Sequence, residues 1–141
     1  MINIQGIQNG VVIDHIRAGF GMNVLEYLGL KEGNEMVALI MNAKSSKHGR
    51  KDIIKLTNID NVNLDILGLV DQTATVNYIK DGDIYDKKHP SLPPRVDNIF
   101  KCKNPRCVTS IEQVPHTFVL VTESGMYRCM YCDDLQAGLC A

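Results

Sequence analysis

Cys102 and Cys107 form a C-x4-C pair, Cys129 and Cys132 form a C-x2-C pair, and 21 residues lie between the pairs. No other feature restricts the fold so tightly. Two short cysteine hooks, joined by a segment long enough for a β-hairpin, are the layout of a zinc ribbon in which four thiolates close a tetrahedral shell. A full shell leaves no position for a substrate. One zinc ion (Zn2+) held by Cys102, Cys107, Cys129 and Cys132 is therefore expected to build structure and not to do chemistry. Two readings compete with it. Four reduced cysteines can pack without metal, and iron can occupy a rubredoxin-like site, although such sites use two C-x2-C hooks and one hook here is longer.

The rest of the chain fixes the setting. Its 141 residues suffice for one ordinary domain or two small ones. A net charge of −1 gives no global field toward DNA, RNA or acidic lipid, so neither nucleic acid nor membrane is an expected partner. The opening MINIQGIQNG lacks the basic start and apolar stretch of a signal peptide, and the apolar run Met36 to Met41 is too short to span a membrane. A cytoplasmic, reducing location is expected, where cysteines favour metal over disulfides. Cys140 is left over and reads as a free thiol near the C-terminus.

Prolines divide the chain. Pro90, Pro93 and Pro94 stiffen the backbone and push their predecessors toward extended geometry. The expected domains are residues 1–90 and 91–141. In the second, Val96 to Phe100 and Thr117 to Val121 read as strands, Glu123-Ser124-Gly125 as a turn and Met126 to Cys129 as the return strand, a small all-β module. So short a module buries little apolar surface, and zinc binding contributes on the order of 10 kcal/mol to folding such units.

The first ninety residues show a mixed pattern. Val11 to Ile13 reads as a strand entered by the turn Asn9-Gly10. Phe20, Val24, Leu25 and Leu28 fall at helical spacing, with Gly29 as the stop. Met36 to Met41 reads as a buried strand, Lys47-His48-Gly49 as a turn, and Arg50 to Leu56 as the next strand. Val62, Ile66, Leu67 and Val70 fit a second helix. Ala74 to Ile79 reads as a strand, Asp81-Gly82 as a tight turn and Ile84-Tyr85 as its return. The expected class is α+β: a ferredoxin-like βαββαβ antiparallel sheet with two helices, followed by the small zinc ribbon.

Groups able to hold an anion sit on the expected strands. Along Arg50 to Leu56, Ile54 and Leu56 face one way and Lys51, Ile53 and Lys55 the other, so that Lys51 and Lys55 lie ~13 Å apart. Lys87 and Lys88 follow on the last strand. Asp14 and His15 offer a carboxylate and an imidazole side by side, and Asn77 an amide. Together they are able to hold a nucleotide. The plainer reading makes the lysines a solvated face, Asp14-His15 turn chemistry and Asn77 a local partner. Neither a G-x-x-x-x-G-K-[ST] nor a G-x-G-x-x-G loop is present, and nothing marks an activated nucleophile, so no enzyme is expected. His116 is left out of the metal shell, since four cysteines satisfy zinc.

The blocks Gly10 to Ile16, Gly49 to Lys55, Ala74 to Asn77 and Pro90 to Asn98, followed by C-x4-C and C-x2-C, occur in that order over nearly the whole chain. In these blocks the sequence resembles the regulatory chain of aspartate carbamoyltransferase. The resemblance implies a non-catalytic regulatory subunit of pyrimidine biosynthesis. Residues 1–90 would be an allosteric domain binding CTP and ATP, and residues 91–141 a zinc-binding domain contacting the catalytic chain. Pairing of regulatory chains as dimers is implied too. Matching positions imply a nucleotide site of Asp14, His15, Lys51, Lys55, Asn77 and Lys87. Lys51 and Lys87 would serve phosphates, with Asp14 and Lys55 near ribose and base. Ile7, Val12, Ile79 and Ile84 are implied to line the base pocket. The short arm before Gly10, and Gly82 in place of a bulkier residue, depart from the family pattern. The alternative is a zinc-ribbon nucleic-acid-binding protein using Lys101, Lys103, Arg106 and Arg128, which Asp133 and Asp134 oppose.

Overall fold

Side chains of alternating polarity along three central strands decide which sheet face attracts the helices. In the computed structural model, which describes residues 6–30, 33–46 and 49–137, seven elements make up the N-terminal part. They are β1 (Gly10–Arg17), α1 (Gly21–Tyr27), β2 (Val37–Ser45), β3 (Gly49–Thr57), α2 (Leu64–Val70), β4 (Thr75–Lys80) and β5 (Asp83–Lys88). The sheet order is β2-β3-β1-β4-β5 and every pairing is antiparallel. The first four of these strands follow the split βαβ order, and β5 extends the edge.

Val11, Ile13 and Ile16 of β1, Ile54 and Leu56 of β3, and Val76 and Tyr78 of β4 share the face that meets Val24, Leu25, Leu67 and Val70 of the helices. Each fully buried aliphatic side chain contributes roughly 1.5–3 kcal/mol. Among the described residues, the opposite face carries no helix.

One carboxylate and one amide anchor the helices. The Asn63 side chain accepts hydrogen bonds from the N–H groups of Asp65 (3.1 Å) and Ile66 (3.2 Å) at the start of α2. Helix α1 has no side-chain cap of its own. Asp52, fully buried on the inward face of β3, accepts from Gly21 N (2.9 Å), Gly19 N (3.1 Å) and Asn42 N (3.0 Å) instead. A buried carboxylate surrounded by three N–H donors is tolerable because each donor offsets lost hydration.

Some sequence expectations need correction. Met36 precedes β2 and is 76% exposed, and β2 is an edge strand that sends only Val37 and Leu39 against the core. An apolar run thus reads as buried when its sheet position is unknown. Val62 lies before α2, because Asn63 caps the helix. The β4–β5 turn is as expected: Asp81 (φ 53°) and Gly82 (φ 84°) both adopt left-handed geometry, which suits a two-residue hairpin loop. Lys47, His48 and Cys140 lie outside the described residues. No helix among the described residues is long and apolar enough to cross a membrane.

The cysteine-rich part forms a second antiparallel sheet, β6 (Arg95–Asp97), β7 (Thr117–Leu120), β8 (Met126–Cys129) and β9 (Leu135–Ala137), in the order β6-β7-β8-β9. Strand β6 stops short of the expected Phe100. Asn98 adopts φ 58° and exchanges hydrogen bonds with the His116 backbone, which turns the chain. Phe100 still packs inward, 4.6 Å from the Phe118 ring and 5.6 Å edge-on from Tyr127. The sequence reading missed β9 altogether.

The two sheets meet through α2. Leu67 and Val70 belong to the N-terminal core, while Leu69 joins Val96, Phe118, Tyr127 and three cysteines in the other. Gly68 lies so close to the Ser91 carbonyl that a Cβ there would clash with it. The proline segment is pinned as well: Tyr127 Oη donates to Pro93 O (2.8 Å) and Leu120 N to Pro94 O (2.9 Å).

Candidate metal and ligand sites

The four cysteines that the sequence singled out converge. Their sulfurs all lie within 4.8 Å of one another, with Cys102–Cys132 at 3.6 Å and Cys107–Cys129 at 3.7 Å. A tetrahedral thiolate-bound ion with metal–sulfur bonds of ~2.3 Å has sulfur–sulfur edges of ~3.8 Å, so this donor set fits one ion, whereas a disulfide needs ~2.05 Å.

Local hydrogen bonds shape both hooks. Cys107 N donates to Asn104 O (3.1 Å), and a short 3-10 turn at Val108–Ser110 follows. In the second hook Asp133 N donates to Cys129 O (3.0 Å), and Cys129 N donates to Asp134 O (3.0 Å). Tyr131 N (3.4 Å) and Thr109 Oγ1 (3.1 Å) donate to the sulfurs of Cys129 and Cys107. The Thr109 hydroxyl lowers the Cys107 thiol pKa, while burial raises those of Cys102 and Cys129. Four thiols this close cannot all ionise without a cation among them, so the chemistry calls for a metal. His116 stays outside the shell: its Nδ1 accepts from Cys102 N (3.3 Å).

The second predicted site lies on the helix-free face of the five-stranded sheet. Lys55 on β3 pairs with Val12 on β1, Val12 with Asn77 on β4, and Asn77 with Lys87 on β5. These four positions form one row across the sheet. At a strand spacing of ~4.8 Å, the Lys55 and Lys87 backbones stand ~14 Å apart. Lys88, next in the chain, points the other way and places Nζ 5.4 Å above the Tyr78 ring. Asn77 is 8% exposed, and its Oδ1 has no hydrogen-bond partner.

The first strand does not end at Ile13, where the sequence expectation stopped it, with Asp14 and His15 just beyond. The strand continues to Arg17, and the pair sits in a β-bulge between Ile13 and Ile16 with His15 at φ 58°. The bulge brings Asp14 Oδ1 within 3.0 Å of Lys51 Nζ, and His15 N donates to Asp14 Oδ1 (2.6 Å). Burial alone would raise the Asp14 pKa. The Lys51 and His15 hydrogen bonds, with the charges of both, outweigh it and leave the pKa below that of an ordinary aspartate. All six predicted residues therefore lie along one sheet face in two groups of three: Asp14, His15 and Lys51 by the bulge, and Lys55, Asn77 and Lys87 in the row. Of the implied base-pocket positions, Val12 stands between Lys55 and Asn77, and Ile79 pairs with Ile84. A 440 Å³ concavity at one end of the sheet, lined by Asn9, Asn58, Ile79, Lys80 and Tyr85 among others, includes none of the six. The arm before β1 touches the hairpin: Gly82 N donates to Gln8 O (2.9 Å) and Asp81 N to Asn9 Oδ1 (3.2 Å).

Sequence reasoning missed Asp52, Leu69 and Gln136. Asp52 had a signal, since an acid in phase with Ile54 and Leu56 must either break the strand pattern or cap something inside. On the ribbon, Arg128 faces Asp133 at 3.6 Å, which offsets part of its basic charge.

Comparison with known proteins bears on both sites. Residues 2–91 match a family described as "Aspartate carbamoyltransferase regulatory chain, allosteric domain", and residues 94–137 its metal binding domain. An aspartate carbamoyltransferase regulatory chain of Clostridium botulinum is 51% identical over 140 residues, covering 98% of this chain and 96% of the relative. The Clostridium tetani chain of that name is 46% identical, with 96% of each chain covered. The one from Bifidobacterium longum is 44% identical over 94% of this chain and 97% of its own.

Proposed function

Because the chain belongs to the aspartate carbamoyltransferase regulatory-chain family, a family of non-catalytic subunits, we propose that it senses CTP and ATP and transmits their binding to catalytic chains. In this reading residues 1–90 form the nucleotide-binding allosteric domain. Residues 91–141 form a zinc-binding domain that contacts the catalytic chain. The regulatory chains pair as dimers, and the protein works in the cytoplasm without nucleic acid or membrane.

The observation that carries the reading is the row Lys55–Val12–Asn77–Lys87 on the helix-free face, with Asp14, His15 and Lys51 beside it. Lys51 and Lys87 supply cationic donors for phosphates. Asp14 and Lys55 serve ribose and base, His15 adds its imidazole, and the buried Asn77 amide brings an acceptor without a partner. The metal is one zinc ion on Cys102, Cys107, Cys129 and Cys132. It makes the ribbon rigid enough to present a single docking face and takes part in no reaction.

Regulation follows from linkage. A nucleotide that binds the low-activity assembly better shifts the population toward it, and one that favours the active assembly does the reverse. A coupling of about 1–3 kcal/mol suffices. The test is calorimetric titration of the zinc-loaded chain with CTP and then ATP, repeated after adding catalytic chains. Competitive binding at one site per chain supports the proposal. A folded chain that binds neither nucleotide, alone or in the assembly, refutes the sensing role.

A further inference from the structure

Gln136 lies in the middle of β9, opposite Tyr127 of β8, and is 9% exposed. Its carboxamide reaches out of the sheet to the other hook. Nε2 donates to Lys101 O (3.0 Å), and Oε1 accepts from Lys103 N (3.1 Å). These backbone groups flank Cys102 on both sides. A carboxamide offers both a donor and an acceptor group from a single planar unit, and only this orientation satisfies both partners. With Cys102 N bound to His116 Nδ1 at 3.3 Å, three polar backbone groups around Cys102 are held from outside the metal shell.

Strand β9 follows directly on the second hook, three residues after Cys132. The Gln136 amide therefore ties the second hook to the first by a route that does not pass through the ion. We propose that Gln136 is a positioning residue for the metal centre: it fixes the Cys102 backbone so that the Cys102 sulfur stands ready to meet the ion and is slow to leave it. The inference rests on the reading that the four cysteines hold zinc. Groups that orient metal ligands in this way typically govern affinity by about 10–100-fold.

The test uses the full chain loaded with zinc, or with cobalt(II) as a spectroscopic substitute. Gln136→Leu should still take up one ion, with cobalt–thiolate absorption bands at unchanged positions. It should release zinc to a competing chelator with an apparent affinity about 10–100-fold lower. During release, alkylation mapped by mass spectrometry should mark Cys102 before Cys129 and Cys132. Unchanged zinc affinity in a folded Gln136→Leu chain, or labelling that starts at Cys132 or spreads evenly, would overturn the proposal. Gln136→Glu keeps the shape and the acceptor to Lys103 N but sets a carboxylate against Lys101 O. It carries the test if the leucine variant fails to fold, and zinc retention equal to wild type would again count against Gln136. A wild-type chain that binds no ion through four thiolates would refute the zinc reading itself, an outcome distinct from a wild-type site that binds normally and ignores Gln136.

Discussion

Lys51 Nζ and Asp14 Oδ1 stand 3.0 Å apart, joined across β3 and β1 at the place where β1 bulges. The lysine expected to receive a phosphate is thus held by a carboxylate. In the proposed site, a polyanion would have to share Lys51 with Asp14, which would temper affinity and orient the amine. The Asp14 carboxyl should titrate below 3.8, because its charged form gains the Lys51 and His15 hydrogen bonds. Carbon-detected NMR titration of Asp14 checks this. In Lys51→Met the value should move up, since desolvation then faces fewer opposing contacts. As the folded-state pKa is depressed, the stability this group contributes is present above 3.8 and is lost as pH falls through the folded value.

Lys55→Ala should weaken CTP and ATP binding by about tenfold, the loss of one charge-assisted contact of ~1.5 kcal/mol. Assembly with catalytic chains should be unaffected. Calorimetry paired with size-exclusion chromatography separates the two effects, and unchanged nucleotide affinity would remove Lys55 from the site.

Cys107→Ser should abolish stable zinc binding and, with it, capture of catalytic chains, because the ribbon has little core without the ion. Metal analysis of the purified variant and a co-purification assay give the answer. A variant without metal that still forms a normal complex would contradict the structural role of the ion. Thr109→Val, which removes only the hydroxyl donor to Cys107, should keep the metal and release it faster.

Two substitutions at α2, one in the helix and one at its cap, should act in different places. Leu69→Ala should cost roughly 2–5 kcal/mol by opening a cavity in the cysteine-rich core, although Leu69 belongs to the N-terminal helix. Asn63→Ala should cost about 1 kcal/mol through loss of the helix cap. Hydrogen exchange should show the first change in β7 and β8 and the second within α2.

What the sequence made legible followed local rules. The cysteine spacings, the Asp81-Gly82 hairpin and the alternation along β3 are properties of short segments, and the structure bears them out. Position in the sheet is not local. Met36 to Met41 carries no mark saying that β2 is an edge, and the stop at Asn98 depends on a partner eighteen residues away, His116. Gathering of the six anion-site candidates on one face was half legible. Lys51 and Lys55 share strand parity, but joining them to Asn77 and Lys87 needs the β3-β1-β4-β5 register, and joining them to Asp14 needs a bulge that no residue type announces. The ferredoxin-like order makes β3, β1 and β4 neighbours, but it fixes neither their register nor the place of β5. Gln136 gave no sign, since a lone polar residue in a short strand looks like any solvated one.

Leu69, in the helix, lines the core that holds the cysteines, and Gly68 lets Ser91 lie against that helix. Cutting the chain at its prolines does not cut the molecule where its parts meet. A fragment beginning at Ser91 would lack one wall of its own interior, and a fragment ending at Pro90 would leave a leucine facing water. The border along the sequence and the border through space run in different places. Exchange of ribbons between relatives should therefore succeed only when the second helix travels with them.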